Sequence, residues 1–78
     1  MQTGCLTITT YPDGAMIYID GILILDEKGE PGLTPALLTV PVGYHNIRLT
    51  LEGYCDQFDG QYIMQNANVN ISHDFGIC

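Results

Sequence analysis

The sequence predicts an all-β fold, a small antiparallel β-sandwich of about seven strands. Three observations carry that expectation. Short segments alternate apolar and polar side chains with a period of two, the mark of a strand with one buried face. Clusters of Gly, Pro, Asp and Asn separate these segments at intervals of roughly eight to twelve residues. No window carries the apolar spacing of a helix. A chain of 78 residues makes a single domain, 1–78, with a thin core. Its apolar content of 46% argues against disorder, because there is enough side chain to bury.

The first strand, 4–10, sets Leu6, Ile8 and Thr10 on one face and Cys5, Thr7 and Thr9 on the other. Four threonines in the first ten residues suit a strand, where a branched Cβ packs on the pleat. Tyr11-Pro12-Asp13-Gly14 reads as a turn. Pro12 pre-sets φ for the second position of a type I turn, Asp13 tolerates the next, and Gly14 leaves with φ > 0. Ala15, Ile17 and Ile19 then alternate with Met16, Tyr18 and Asp20 in a second strand. Asp20-Gly21 closes it with a tight hairpin turn.

Ile22, Leu23, Ile24 and Leu25 give a short third strand that is apolar on both faces. It is expected to be covered on both sides or to lie at an interface. The loop 26–32 holds three acids, two glycines and a proline. Such clusters sometimes converge on calcium. The alternating acidic pattern of a calcium loop is missing, however, and Lys28 sits in the middle. A solvated loop is the expectation, with Asp26, Glu27 and Glu30 as weak metal-ligand candidates.

Thr34-Pro35 opens a fourth strand, where a missing ladder donor is tolerated. Leu38 and Val40 point inward, Leu37 and Thr39 outward. After Pro41-Val42-Gly43 comes the cleanest alternation, 44–51: His45, Ile47, Leu49 and Leu51 share one face, Asn46, Arg48 and Thr50 the other. Glu52-Gly53-Tyr54 ends it. A strand over 57–64 follows, interrupted at Asp59-Gly60 by a bulge or turn. Gln65-Asn66-Ala67-Asn68 is turn-like. The last strand, 68–75, turns Val69, Ile71, His73 and Phe75 inward against Asn70, Ser72 and Asp74.

Charge narrows the partners. Lys28 and Arg48 stand against nine acids, a net of −7. Binding nucleic acid takes several cations on one face, so nucleic acid is not an expected partner. An anionic membrane surface is disfavoured for the same reason. No apolar run approaches the roughly 20 residues of a membrane span. No basic start leads into an apolar segment, so an export signal, if the protein has one, lies outside this chain.

Cys5, Cys55 and Cys78 are odd in number and lack metal-type spacing. The simplest reading is small buried or terminal thiols; the sharper one is a single intrachain disulfide, with the pairing open. His45 sits on the apolar face of its strand. It is expected to cap the core with a ring nitrogen on a backbone carbonyl. A zinc site built from His45, His73 and an acid is the weaker alternative. Ser72 and His73 are adjacent in a strand and face opposite ways, so they form no catalytic dyad. No cofactor is expected. Tyr18 and Tyr44 are placed outward, and exposed tyrosines suit protein- or sugar-binding faces. Tyr54 is expected to close a corner of the core. Asn70-Ile71-Ser72 fits the N-glycosylation pattern at Asn70.

Five pieces in order carry a family resemblance: Pro12-Asp13-Gly14-Ala15, Ile17-Tyr18-Ile19-Asp20-Gly21, Thr34-Pro35, Val40-Pro41-Val42-Gly43-Tyr44-His45-Asn46-Ile47-Arg48-Leu49, and Glu52-Gly53-Tyr54. Together they resemble a PEGA domain over about residues 4–75, with Asp13 where the family name has Glu. The connection from Gly21 to Thr34 is longer than the family's usual turn. The resemblance implies a transthyretin- or immunoglobulin-like sandwich of the kind found in surface-layer and envelope proteins, without assigned catalysis. The resulting expectation is a non-enzymatic structural or interaction module of a cell-surface or extracellular protein. Its partners would be copies of itself or neighbouring domains, through Tyr18, Tyr44, Ile22, Leu23, Ile24 and Leu25. The alternative is a module for carbohydrate or cell-wall polymer using exposed tyrosines.

Overall fold

A computed structural model describes residues 2–76. It holds β1 (Thr3–Tyr11), β2 (Met16–Ile19), β3 (Ile22–Leu23), β4 (Ala36–Pro41), β5 (Gly43–Thr50), β6 (Gln57–Ile63) and β7 (Asn68–Asp74). They form two sheets, one in the order β4-β1-β7 and one in the order β3-β2-β5-β6. Pairing is antiparallel except between β1 and β7, which run parallel from Cys5–Asn68 to Tyr11–Asp74. The sheets bury one face each, because each strand alternates as its sequence does. Leu6, Ile8, Ile17, Ile47, Leu49 and Ile63 are the largest fully buried side chains, joined by Ile19, Val40 and Ile71. Burying each such side chain contributes about 1.5–3 kcal/mol.

The Asp20-Gly21 turn has φ of 52° and 83° at its two central residues, the mirror-image hairpin geometry expected of Asp-Gly. The Pro12 turn differs from expectation. The Tyr11–Pro12 bond is cis, and the Gly14 N–H donates to the Thr34 carbonyl and not back across the turn. The segment is therefore a bend docked on a distant strand entry, not a type I turn. Gly14 does take φ > 0, at 94°.

Thr10 and Thr34 fix that docking. Both are buried, and their hydroxyls lie 2.6 Å apart. The Thr10 hydroxyl also reaches the Pro12 carbonyl at 2.8 Å, and the Ala15 N–H donates to the Thr34 hydroxyl at 2.9 Å. One arrangement serves all three contacts: Thr34 donates to Thr10, and Thr10 donates to Pro12. Both of these buried hydroxyls are then paired, as burial requires.

The long connection pairs inside the domain. Ile24 N–H donates to the Ile17 carbonyl, Leu33 bridges Met16, and Thr34 N–H donates to the Ala15 carbonyl. Both sides of the connection thus run along β2. Between them Leu25 bridges Pro31, and the Asp26 carbonyl accepts the Gly29 N–H, making a small hairpin. The expected break at Asp59-Gly60 is absent: β6 pairs residue for residue with β5 through Ile47–Asp59 and Asn46–Gly60. Gly60 is small because the Tyr44 ring lies over it, and a Cβ there would collide with the Tyr44 hydroxyl.

Candidate functional site

The outward face of the β3-β2-β5-β6 sheet gathers large side chains. In the register of β5 and β6, Tyr44 is opposite Tyr62, Asn46 opposite Gly60, and Arg48 opposite Phe58. Tyr18 on β2 is opposite Arg48, whose guanidinium stands 5.2 Å from the ring centroid. Arg48 also donates twice to Asp56, at 3.1 and 2.7 Å. The cation is thus held between a ring and a carboxylate. Tyr44, Phe58, Tyr62 and Met64 are 60–71% exposed. Phe58, Gly60 and Tyr62 share one side of β6 by parity with the buried Ile63, and Met64 follows just past its end.

Phe58, Met64 and Arg48 were not among the expected contact residues. The signal was available: once Ile63 is inward, residues of even number in β6 are outward. Reading Asp59-Gly60 as a break hid it. Of the expected contacts, Tyr44 lies on this face and is exposed, while Tyr18 lies on it half-covered. Ile22 and Leu25 are exposed at the far edge, and Leu23 is half-buried. Ile24 is half-buried and packs against the core, its N–H bonded to the Ile17 carbonyl.

The histidines separate. His45 Nδ1 is 2.6 Å from Asp20 Oδ2, and its Nε2 is 2.7 Å from the Pro41 carbonyl. The carbonyl contact is the expected one; the carboxylate is additional. Both ring nitrogens face acceptors, so both bonds form together only when the ring carries two N–H groups. The bond to Asp20 first, then that to Pro41, raises the His45 pKa above its ordinary value. The His45 bond, then the Asn46 N–H, lowers that of Asp20. His73 instead meets Asp59 at 3.0 Å, joining the edge strands β7 and β6 of the two sheets. No group of three or more His, Cys, Asp or Glu able to hold a metal is present among the described residues. The zinc alternative through His45 and His73 therefore has no assembled site.

Asp26 spends its Oδ1 on the N–H groups of Lys28 and Glu30, at 2.9 and 3.0 Å. With Glu27 and Glu30 exposed beside it, the loop is solvated as expected. Tyr54 packs against Phe75 with ring centroids 5.9 Å apart, closing a corner. Asn70 is exposed on β7. Cys55 is disulfide-bonded, which corrects the simpler reading of unpaired thiols there; Cys5 is free, and Cys78 lies outside the described residues. Among the described residues no helix is long and apolar enough to cross a membrane.

No curated protein matches the chain. A family model described as the PEGA domain matches residues 3–76, taking in all seven strands and the five sequence pieces they are built on. The chain belongs to the PEGA domain family.

Proposed function

We propose that this chain is a non-enzymatic structural and interaction module of a cell-surface or extracellular protein. It meets copies of itself or neighbouring domains. The observation that carries the reading is the outward face bearing Tyr44, Phe58, Tyr62 and Met64, large side chains left in water. Aromatic, Met and Arg side chains are the types enriched in protein interfaces, and Arg48 stands among them. The Cys55 disulfide supports an oxidising compartment. The engagement of His45 with Asp20 and of His73 with Asp59 supports structural duty for both rings.

Sedimentation velocity over a concentration series tests the reading. Concentration-dependent association that Phe58→Ser with Tyr62→Ser abolishes, with the melting temperature unchanged, supports it. A strict monomer at millimolar concentration removes self-association. Labelling of the protein on intact source cells tests the location.

A carbohydrate-binding role is the second reading. It is favoured by Tyr44 standing directly opposite Tyr62 beside the exposed Asn46, which offers rings for stacking and an amide for hydroxyls. Titration with soluble cell-wall glycans, read on the tyrosine ring resonances, decides it; unchanged resonances eliminate it.

A further inference from the structure

β4 is an edge strand, paired with β1 on one side. Among the described residues its other side makes no backbone hydrogen bond to another strand. Pro35 and Pro41 bracket it, and neither has an N–H, so the usable edge is 36–40. An unpaired edge offers donors and acceptors at strand spacing to any extended chain. Such edges are commonly guarded by short length, charge or a covering loop. Here the hairpin of the long connection stands off from the edge and leaves a groove of about 620 Å³ between them.

The groove combines an apolar lining with an acidic rim. Ile24, Ala36 and Leu38 give the groove an apolar lining; all three are partly buried against the core. The hairpin rim carries Asp26, Glu27 and Glu30 with Lys28 as the single cation. Asp26 is committed to its own loop. Glu27 and Glu30 take part in no ion pair among the described residues. Excess negative charge at the rim matches the net of −7 for the whole chain. Charge complementarity at the rim favours a cationic partner and disfavours an anionic one.

We propose that this groove receives an extended cationic peptide segment of a partner protein, added as a strand to the open edge of β4. The main chain of the segment pairs with the backbone of 36–40. Small apolar side chains on one side of it enter the lining of Ile24, Ala36 and Leu38. Lys or Arg side chains alternating with them meet Glu27 and Glu30. Strand addition of this kind takes its affinity from main-chain bonds and its selectivity from alternate side chains. Five edge residues correspond to about 17 Å of partner strand. The proposal rests on the interaction-module reading but uses a different surface from the aromatic face.

The test uses the whole chain and three synthetic heptapeptides: alternating Lys-Val, alternating Glu-Val, and Lys-Val methylated on alternate backbone nitrogens. Binding is followed by backbone amide shifts. The Lys-Val peptide is expected to move the amides of 36–40 and to bind at least tenfold more tightly than either other peptide. Glu27→Lys with Glu30→Lys is expected to weaken it at least tenfold without altering the melting temperature, since both side chains are exposed. Raising the salt weakens it too. Equal binding of the methylated peptide overturns strand addition. Equal binding of the acidic peptide, or by the charge-reversed variant, overturns the cationic assignment. No binding at millimolar peptide overturns the site. The Phe58→Ser, Tyr62→Ser variant retains peptide binding if this groove is the site, so failure here is distinct from failure of the aromatic face.

Discussion

The hydroxyl of Thr10, at the end of β1, lies 2.6 Å from that of Thr34, at the entry to β4. Through this pair the Pro12 bend and the Thr34-Pro35 entry become one buried unit. Thr34→Val keeps the shape but leaves the Ala15 N–H without its acceptor and Thr10 without its donor. The expected cost is about 1–3 kcal/mol. For a domain of this size that lowers the melting temperature by roughly 4–8 °C per kcal/mol. Thr34→Ser keeps the hydroxyl and recovers most of the loss. Equal melting temperatures for Val and wild type would remove the pair from the stability account.

The Asp20–His45 pair gives stability a direction with pH. The His45 pKa is raised above its ordinary 6.5, so its contribution is full below that value and fades as pH rises through the folded-state pKa. The Asp20 pKa is lowered from 3.8, so its contribution is present above that value and fades as pH falls through the folded-state pKa. Both hold between about pH 4 and 6.5. Asp20→Asn tolerates the left-handed backbone at 20 and keeps an acceptor for Asn46 N–H while deleting the charge. The difference in melting temperature between wild type and this variant is expected to peak in that window and shrink towards pH 8. A difference that does not change with pH contradicts the pairing.

Gly4 and Gly60 predict opposite outcomes for the same substitution. A Cβ on Gly4 would stand 2.6 Å from the Ile63 side chain and 2.7 Å from the Met64 carbonyl. Backbone cannot swing away, so Gly4→Ala is expected to cost about 1–3 kcal/mol. At Gly60 the obstacle is the far end of the Tyr44 side chain, which is free to rotate outward. Gly60→Ala is expected to cost less than about 1 kcal/mol and to shift the Tyr44 ring resonances. Urea titrations and aromatic NMR spectra of the two variants check both statements.

The cysteines divide likewise. Reducing the Cys55 disulfide is expected to lower stability by about 2–4 kcal/mol. Cys5 is a free thiol on the less buried side of β1, and Cys5→Ser is expected to change stability by less than about 1 kcal/mol. Paired urea titrations with and without reductant measure each.

Most of the fold was legible because one-sided burial writes itself into alternation. β1, β5 and β7 each show it, and Asp20-Gly21 announces its own turn chemistry. What escaped was set by contacts distant in sequence. Gly60 looks like a break until the Tyr44 ring is placed over it. The parallel pairing of β1 with β7 leaves no local trace, since neither strand's pattern depends on its neighbour's direction. A backbone carbonyl partner for His45 was expected from its place on an apolar face, but its identity, Pro41, comes only from the fold. Its carboxylate partner lies 25 residues away, and the Asp59 partner of His73 lies 14 residues away. Both depend on how strands are arranged in space. Phe58 and Met64 were recoverable from strand parity and were lost with the misplaced break.

The parallel alignment of β1 and β7 also has a mechanical meaning. Tyr11 is level with Asp74 and Cys5 with Asn68, so the beginning of β1 and the end of β7 lie at opposite ends of their shared ladder. Tension drawn between those two points slides one strand along the other. The load falls on the whole ladder at once and does not peel it bond by bond. A module held under strain at its two ends would therefore resist as a rivet line does, and yield only when the entire seam gives.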